Sequence, residues 1–344
     1  VGAHTDSPGL HIKTKPDTQT LNWQQLQVEV YGGPLLNSWL DRDLAIAGHV
    51  VLRDGTTSLF SSHHPVARIP QLAIHLDRDV NDKGLILNRH QHLTPIWATG
   101  TSAISFEQWL AQQNSVSVSQ IASWSAQLVD TQQAQIFGRN SEFIASARID
   151  NQISCWAAIF ALLADTSDQP MMIALFDHEE VGSQSDNGAG GPLLEHVLER
   201  LASVSGSTRS EFLTALQKSH CVSADNAHAV HPNYTDRHEL NNAPYVNEGV
   251  VVKNNVSQRY ATSPSSVVPI VHAAVTAGVN LQTFSSRNNI ACGSTIGPIT
   301  ATRLGIETVD IGVPQLSMHS IREMCGTKDP VDLVALLGAY FSRS

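Results

Sequence analysis

The sequence has few cysteines, and they stand far apart. Cys155, Cys221, Cys292 and Cys325 show no CxxC spacing, so neither a zinc ribbon nor a disulfide framework is expected, and buried free thiols are the simplest reading. Basic residues are scarce too: 21 lysines and arginines face 31 aspartates and glutamates, giving a net charge of -10 with no basic block. That balance argues against nucleic acid as a partner, and any acidic substrate must be met by a local cation. No apolar run approaches the ~18 residues that span a bilayer. No secretory signal with a basic start is present either. A cytoplasmic protein with no membrane partner is expected. The chain also lacks an initiator methionine, and Val1-Gly2-Ala3-His4 reads as the end of a buried strand, so residues upstream are expected to be missing.

What is present suits a globular enzyme. The 344 residues are 42% hydrophobic and 15% charged, enough for one large domain or two and too apolar for disorder. From about Leu10 to Gln135 the texture is that of short β segments. Residues 25–31 alternate before Gly32-Gly33-Pro34, and residues 45–52 precede an Asp54-Gly55 hairpin turn. Residues 65–70 and 72–74 add further β-like material, while 108–135 reads as part helix and part loop. His63, His64, His90 and His92 are expected at the surface.

After Phe137 strands alternate with helices. Strands are expected at 143–149, 171–176, 221–224 and 306–311. Helices are expected at 153–163 and 188–201, from a Ser207 cap to 219, and from an Asp329 cap with Pro330 in the first turn to 340. Such alternation predicts an α/β fold with a mainly parallel, helix-flanked sheet. Ligands in such sheets sit at the carboxyl ends of the strands. The domains expected are 1–12 and 137–344 as a catalytic unit, with 13–136 as a β-rich insert.

Several strand-like runs end in a residue that can bind a metal: Ala3 then His4, Ile149 then Asp150, Phe176 then Asp177-His178-Glu179-Glu180, and Ala224 then Asp225. His319 follows shortly after the 306–311 strand. In an extended backbone neighbouring side chains point to opposite sides, so Glu179 and Glu180 should hold different roles, one binding a metal and the other moving a proton. Asp6, two residues after His4, lies on the same face of the strand and suits a carboxylate that orients the imidazole. Three carboxylates (Asp150, Asp225 and one of the glutamates) and two neutral imidazoles would leave one net positive charge against two divalent ions. That balance favours deprotonating a water near neutral pH. Mixed carboxylate and imidazole ligation suits Zn2+, with Mn2+ or Co2+ as substitutes.

The segments Ala3-His4-Thr5-Asp6-Ser7-Pro8, Ile149-Asp150-Asn151, Asp177-His178-Glu179-Glu180-Val181-Gly182-Ser183, Ser223-Ala224-Asp225-Asn226-Ala227-His228, Cys292-Gly293-Ser294-Thr295-Ile296-Gly297-Pro298 and Met318-His319-Ser320-Ile321-Arg322-Glu323 together resemble the M18 metallopeptidases, the aspartyl aminopeptidases. The likeness runs through nearly the whole chain in the same order. It implies two zinc ions per subunit, one held by His4, Asp225 and a bridging Asp150, the other by Asp150, Glu180 and His319. Glu179 would be the general base and Asp6 would buttress His4. The resemblance further implies an insert used for dimers and for a dodecamer. His75 would be lent to a neighbouring subunit's site, and Lys253 would meet an acidic side chain at the first residue of a peptide. The reaction implied is removal of an N-terminal Asp or Glu from peptides. A departure is His178, where the family usually has Asn, which adds a donor or a stray ligand near the site. Three rivals remain open from sequence: a broader aminopeptidase preferring apolar residues, a di-metal deacylase or carboxypeptidase on a similar sheet, and a non-catalytic shell-forming relative.

Overall fold

A computed structural model describes residues 1–100 and 104–342. The chain divides into two compact units: Val1–Ser7, Ala134–Met318 and Arg322–Ser344 form one, and Pro8–Gln133 with His319–Ile321 the other. The boundaries therefore lie at Pro8 and Ala134, where the sequence suggests 13 and 137. His319, expected with the catalytic segment, groups with the second unit.

The first unit is built on a six-stranded sheet. Its strands run in the spatial order Ala174–Phe176, Gly2–His4, His220–Ala224, Glu307–Gly312, Val250–Lys253, Leu281–Phe284. All neighbours are parallel except Val250–Lys253, which runs antiparallel to Glu307–Gly312. The centre is a continuous apolar row: Val222, Val309, Ile311, Val250 and Val252 are buried, as strands covered on both faces require. Helices Ile149–Ala164, Pro264–Ala277 and Asp329–Phe341 pack on it through Ala157, Ala158, Ala161, Ile270, Leu333, Leu336 and Leu337. A second sheet of five strands, ending in Glu323–Gly326, Phe143–Ser146 and Gln135–Phe137, flanks them in the same unit.

Local details differ from expectation at the helix ends. The helix expected to be capped by Ser207 is capped by Thr208, whose side chain accepts from Glu211 N while Glu211 answers to Thr208 N. The last helix has Lys328 at its N-cap. The Asp329 carboxylate reaches back instead, accepting from Gly326 N at 2.9 Å and Asn247 N at 2.8 Å.

The second unit is an antiparallel six-stranded sheet in the order Thr57–Ser61, Leu44–Leu52, Ile121–Asp130, Gly9–Thr20, Trp23–Tyr31, Ile96–Thr99. Helix Phe106–Gln113 closes it, with Phe106 and Leu110 fully buried against Leu10, Leu26, Leu44 and Ile46. The Asp54-Gly55 turn joins the hairpin of Leu44–Leu52 and Thr57–Ser61, with Gly55 at φ 87, a conformation that glycine adopts without strain. Two expectations fail here. Residues 72–74 form no strand, and 65–70 contributes only single bridges at Ala67 and Arg68. The stretch expected to be helix and loop contains instead the ten-residue strand Ile121–Asp130, paired along its length to Leu44–Leu52.

Candidate metal centre

Register brings the first ligands together. His4 pairs with Phe176 on one side, and Gly2 pairs with Ser223 on the other. In a parallel ladder that offset carries Asp225 level with His4. The strand Ala174–Phe176 then breaks: His178 takes φ 60, left-handed, and Glu179–Val181 forms one turn of 3-10 helix before Gly182. Left-handed backbone is sterically restricted for most side chains but is tolerated best by Asn, Asp and His, so a histidine suits this turn. His178 places Nδ1 2.8 Å from Ser185 Oγ. It belongs to none of the metal-compatible groups among the described residues.

His4 is 1% exposed and lies among carboxylates. Its Nε2 is 3.4 Å from Asp150 Oδ1, 3.7 Å from Asp225 Oδ1 and 4.0 Å from Glu179 Oε2. Its Nδ1 is 3.3 Å from Asp6 Oδ1 and 3.1 Å from the Asp6 carbonyl oxygen. Asp6 has a second task. One of its carboxylate oxygens accepts the Glu179 N–H and the other the Glu180 N–H, each at 3.1 Å, so it fixes the turn that presents both glutamates. Asp150 is 3% exposed and held from three directions: its N–H donates to Glu323 Oε2 at 3.0 Å, its carbonyl accepts from Ser7 Oγ at 2.6 Å, and its side chain faces His4.

The electrostatics are those of a pocket short of positive charge. Burial, and then the neighbouring Asp225, push the Glu179 carboxyl up to about 7. Burial and Asp150 push Glu180 up to about 10. Burial would lower the His4 imidazole, but bonds to Asp150, Asp225 and Asp6 overcome it and raise it well above its usual value. Asp225 goes the other way: burial opposes its charge, yet the Lys253 ammonium and His4 hold it well below the ordinary carboxylate range. Ligand atoms of His4, Asp150 and Asp225, and separately of His4, Glu179 and Glu180, lie within 4.8 Å of one another. One imidazole nitrogen with several carboxylate oxygens is a donor set that fits zinc.

The remaining expected residues fall as follows. Lys253, 2% exposed, donates from Nζ to the Asn226 carbonyl at 3.1 Å, sits 3.7 Å from Asp225 Oδ2 and lies over the Tyr260 ring at 5.0 Å. It is no solvated surface lysine. His319, in the other unit, has its Nδ1 3.1 Å from the Gly33 carbonyl, and its own carbonyl accepts from Leu35 N. His75 is exposed in a turn of that unit. The supporting residues Asn151, Asn226, Gln315 and Glu323 escape sequence reasoning. Their one visible signal is the Asp-Asn dipeptide repeated at 150–151 and 225–226.

A mainly parallel sheet whose carboxyl edge gathers an imidazole and several buried carboxylates defines a metal-dependent hydrolase. Among known families, residues 1–341 match the model described as aminopeptidase I zinc metalloprotease (M18). The chain belongs to the M18 family of zinc aminopeptidases. It is 46% identical over 347 residues to a probable M18 family aminopeptidase 2 of Streptomyces coelicolor, covering 99% of this chain and 80% of that one. It resembles the solved structure of the Ape4 and Nbr1 complex with a TM-score of 0.93 at 35% identity, covering 99% of this chain and 70% of that chain. The S. cerevisiae mApe1 dodecamer matches with a TM-score of 0.84 at 28% identity, over 99% of this chain and 78% of that one. No helix among the described residues is long and apolar enough to cross a membrane.

Proposed function

We propose that the chain is a di-zinc aminopeptidase that removes N-terminal Asp or Glu from peptides. The observation that carries the metal reading is His4 buried among Asp150, Asp225 and Glu179 with Asp6 behind it. His4, Asp150 and Asp225 would hold one ion. Asp150, Glu180 and His319 would hold the second, with Mn2+ or Co2+ as substitutes. When bound, zinc supplies Lewis acidity for water and for the scissile carbonyl. The other work belongs to side chains. Glu179, whose Oε2 stands 4.0 Å from His4 Nε2, takes a proton from the attacking water and delivers it to the leaving amine. Asp6 keeps His4 oriented and the turn of Glu179 fixed. The resemblance also supports self-association through the β-rich unit and the loan of His75 to a neighbouring subunit.

Lys253 carries the substrate assignment. An ammonium has three N–H donors, and the Asn226 carbonyl accepts one of them. A desolvated cation beside the metal ligands favours a carboxylate side chain at the first residue of the peptide. The same geometry supports a second reading. If Lys253 stays committed to Asp225, 3.7 Å away, its charge is spent within the site and the enzyme accepts apolar residues instead.

The roles of the two glutamates are tested by Glu179→Gln. Zinc content should stay at two per subunit while kcat falls by about 10²–10⁴-fold. Loss of zinc from that variant, measured by atomic absorption, would show that Glu179 is a ligand and that the assignment is reversed.

A further inference from the structure

The two aspartates beside His4 are each followed by an asparagine, and the structure uses those asparagines in a reciprocal way. Asn151 donates its Nδ2 to the carbonyl of Ala224, the residue preceding Asp225, at 2.8 Å. Asn226 donates its Nδ2 to the carbonyl of Ile149, the residue preceding Asp150, at 3.0 Å. Each Asp-Asn pair thus clamps the backbone that carries the other aspartate. Asn151 is 0% exposed and Asn226 3%. The amide orientations are fixed by chemistry: a backbone carbonyl only accepts, so a flipped amide would set oxygen against oxygen. Both hydrogens of the Asn226 amide are engaged, the second by Gln315 Oε1 at 3.0 Å. Gln315 Nε2 in turn donates to Glu323, at 3.3 Å from Oε1, and the other oxygen of Glu323 accepts the Asp150 N–H.

We infer that Asn151 and Asn226 are paired positioning residues, a clasp that sets the separation of the Asp150 and Asp225 carboxylates and so tunes how tightly this centre binds its metal. The inference rests on the reading that these two aspartates are ligands. The Asn226 backbone N–H also supports the Asp225 carboxylate, while each asparagine side chain acts on the other aspartate through the backbone carbonyl before it. Both clamps close one ring of contacts between the same two segments, so each bond orders the partners of the other. Loss of one therefore removes part of the benefit of its mate, and the two sites should couple.

The test is a double-mutant cycle on the intact chain with Asn151→Ala, Asn226→Ala and the double variant. Its readouts are the zinc dissociation constant from competition with a chromophoric chelator and the visible absorption of the Co2+-substituted protein. Loss of a residue that holds a metal ligand in place typically changes affinity by about 10–100-fold. Each single variant should weaken zinc within that range and alter the cobalt bands, and the double should weaken it by less than the product of the two. Where an alanine variant does not fold, the isosteric Asn226→Asp, which sets an acceptor against the Ile149 carbonyl, is measured in its place and should show the same loss. Zinc affinity and cobalt bands equal to those of the parent would overturn the clasp, whatever happens to the melting temperature. So would strictly multiplicative losses. A parent chain that binds no zinc would instead overturn the reading of Asp150 and Asp225 as ligands, a distinguishable failure.

Discussion

Glu179 and Glu180 are adjacent in the chain, both are held through their N–H groups by one aspartate, and their surroundings still separate them. Asp225 is the charge that most opposes ionisation of Glu179, and Asp150 the one that most opposes Glu180. The difference sets a testable pH dependence for the metal-free protein. Both carboxyls titrate higher in the fold than in an unfolded chain, so the folded state binds more protons and stability falls as pH rises. For Glu179 the window runs from its ordinary 4.5 to about 7, and for Glu180 onward to about 10. His4, raised by its carboxylate partners, adds to the loss as pH climbs through and above 6.5. The stabilising contribution of Asp225, whose carboxyl is lowered from 3.8, is already complete in that window. Urea unfolding with chelator present should therefore show a midpoint that drops between pH 4.5 and 8, and saturating zinc should restore much of it. A midpoint that rises with pH in the chelated protein would contradict the charge balance described for the site. Most of the candidate ligands were legible in sequence because they close strand-like runs with an ionisable side chain; His319, beyond its strand, was not legible on that ground. The clasp was not, because an asparagine amide bonded to a distant carbonyl leaves no spacing or periodicity to read.

At the scale of elements, the sheet positions the chemistry by its tightest approaches. Gly312 ends the central strand Glu307–Gly312, and a Cβ there would fall on the Asp225 carbonyl and within 3.0 Å of Asn226 Cα. Gly312→Ala should force these strand ends apart, cost about 1–3 kcal/mol as overpacking does, and lower zinc affinity along with stability. The helix Arg209–Lys218 provides the contrast. Thr208→Ala removes its cap bond to Glu211 N and should cost about 1 kcal/mol while leaving zinc affinity unchanged. Chemical denaturation paired with zinc titration checks both; equal zinc affinity in parent and Gly312→Ala would contradict the argument. The mainly parallel sheet was legible because its strands are apolar runs buried on both faces. The antiparallel entry of Val250–Lys253 was not, and it matters: it sets Lys253 level with Asp310, one row inside the edge, by continuation of the Val252–Ile311 pair. The strand Ile121–Asp130 was also hidden. Its Ser, Gln and Ala residues have weak local strand preference, and pairing to Leu44–Leu52, with a bridge from Gln127 to His11 of Gly9–Thr20, decides its state instead.

For the whole molecule, the net charge of -10 repels an acidic peptide at long range, and salt screens that repulsion within about 10 Å at 0.1 M ionic strength. On the proposed reading, an acidic first residue is selected at contact, by a buried cation. Lys253 is such a cation, and its neighbour Asp225 decides how much of its charge remains for a substrate. The direct measurement is hydrolysis of matched chromogenic amides of Asp, Glu, Leu and Lys by the zinc-loaded protein, with Lys253→Ala alongside. Asp and Glu should be cleaved with kcat/KM at least about tenfold above Leu, an advantage of roughly 1.4 kcal/mol, and Lys253→Ala should abolish that preference. Cleavage of Leu as fast as Asp, indifferent to Lys253, would contradict the acidic specificity and leave a zinc aminopeptidase of broader taste.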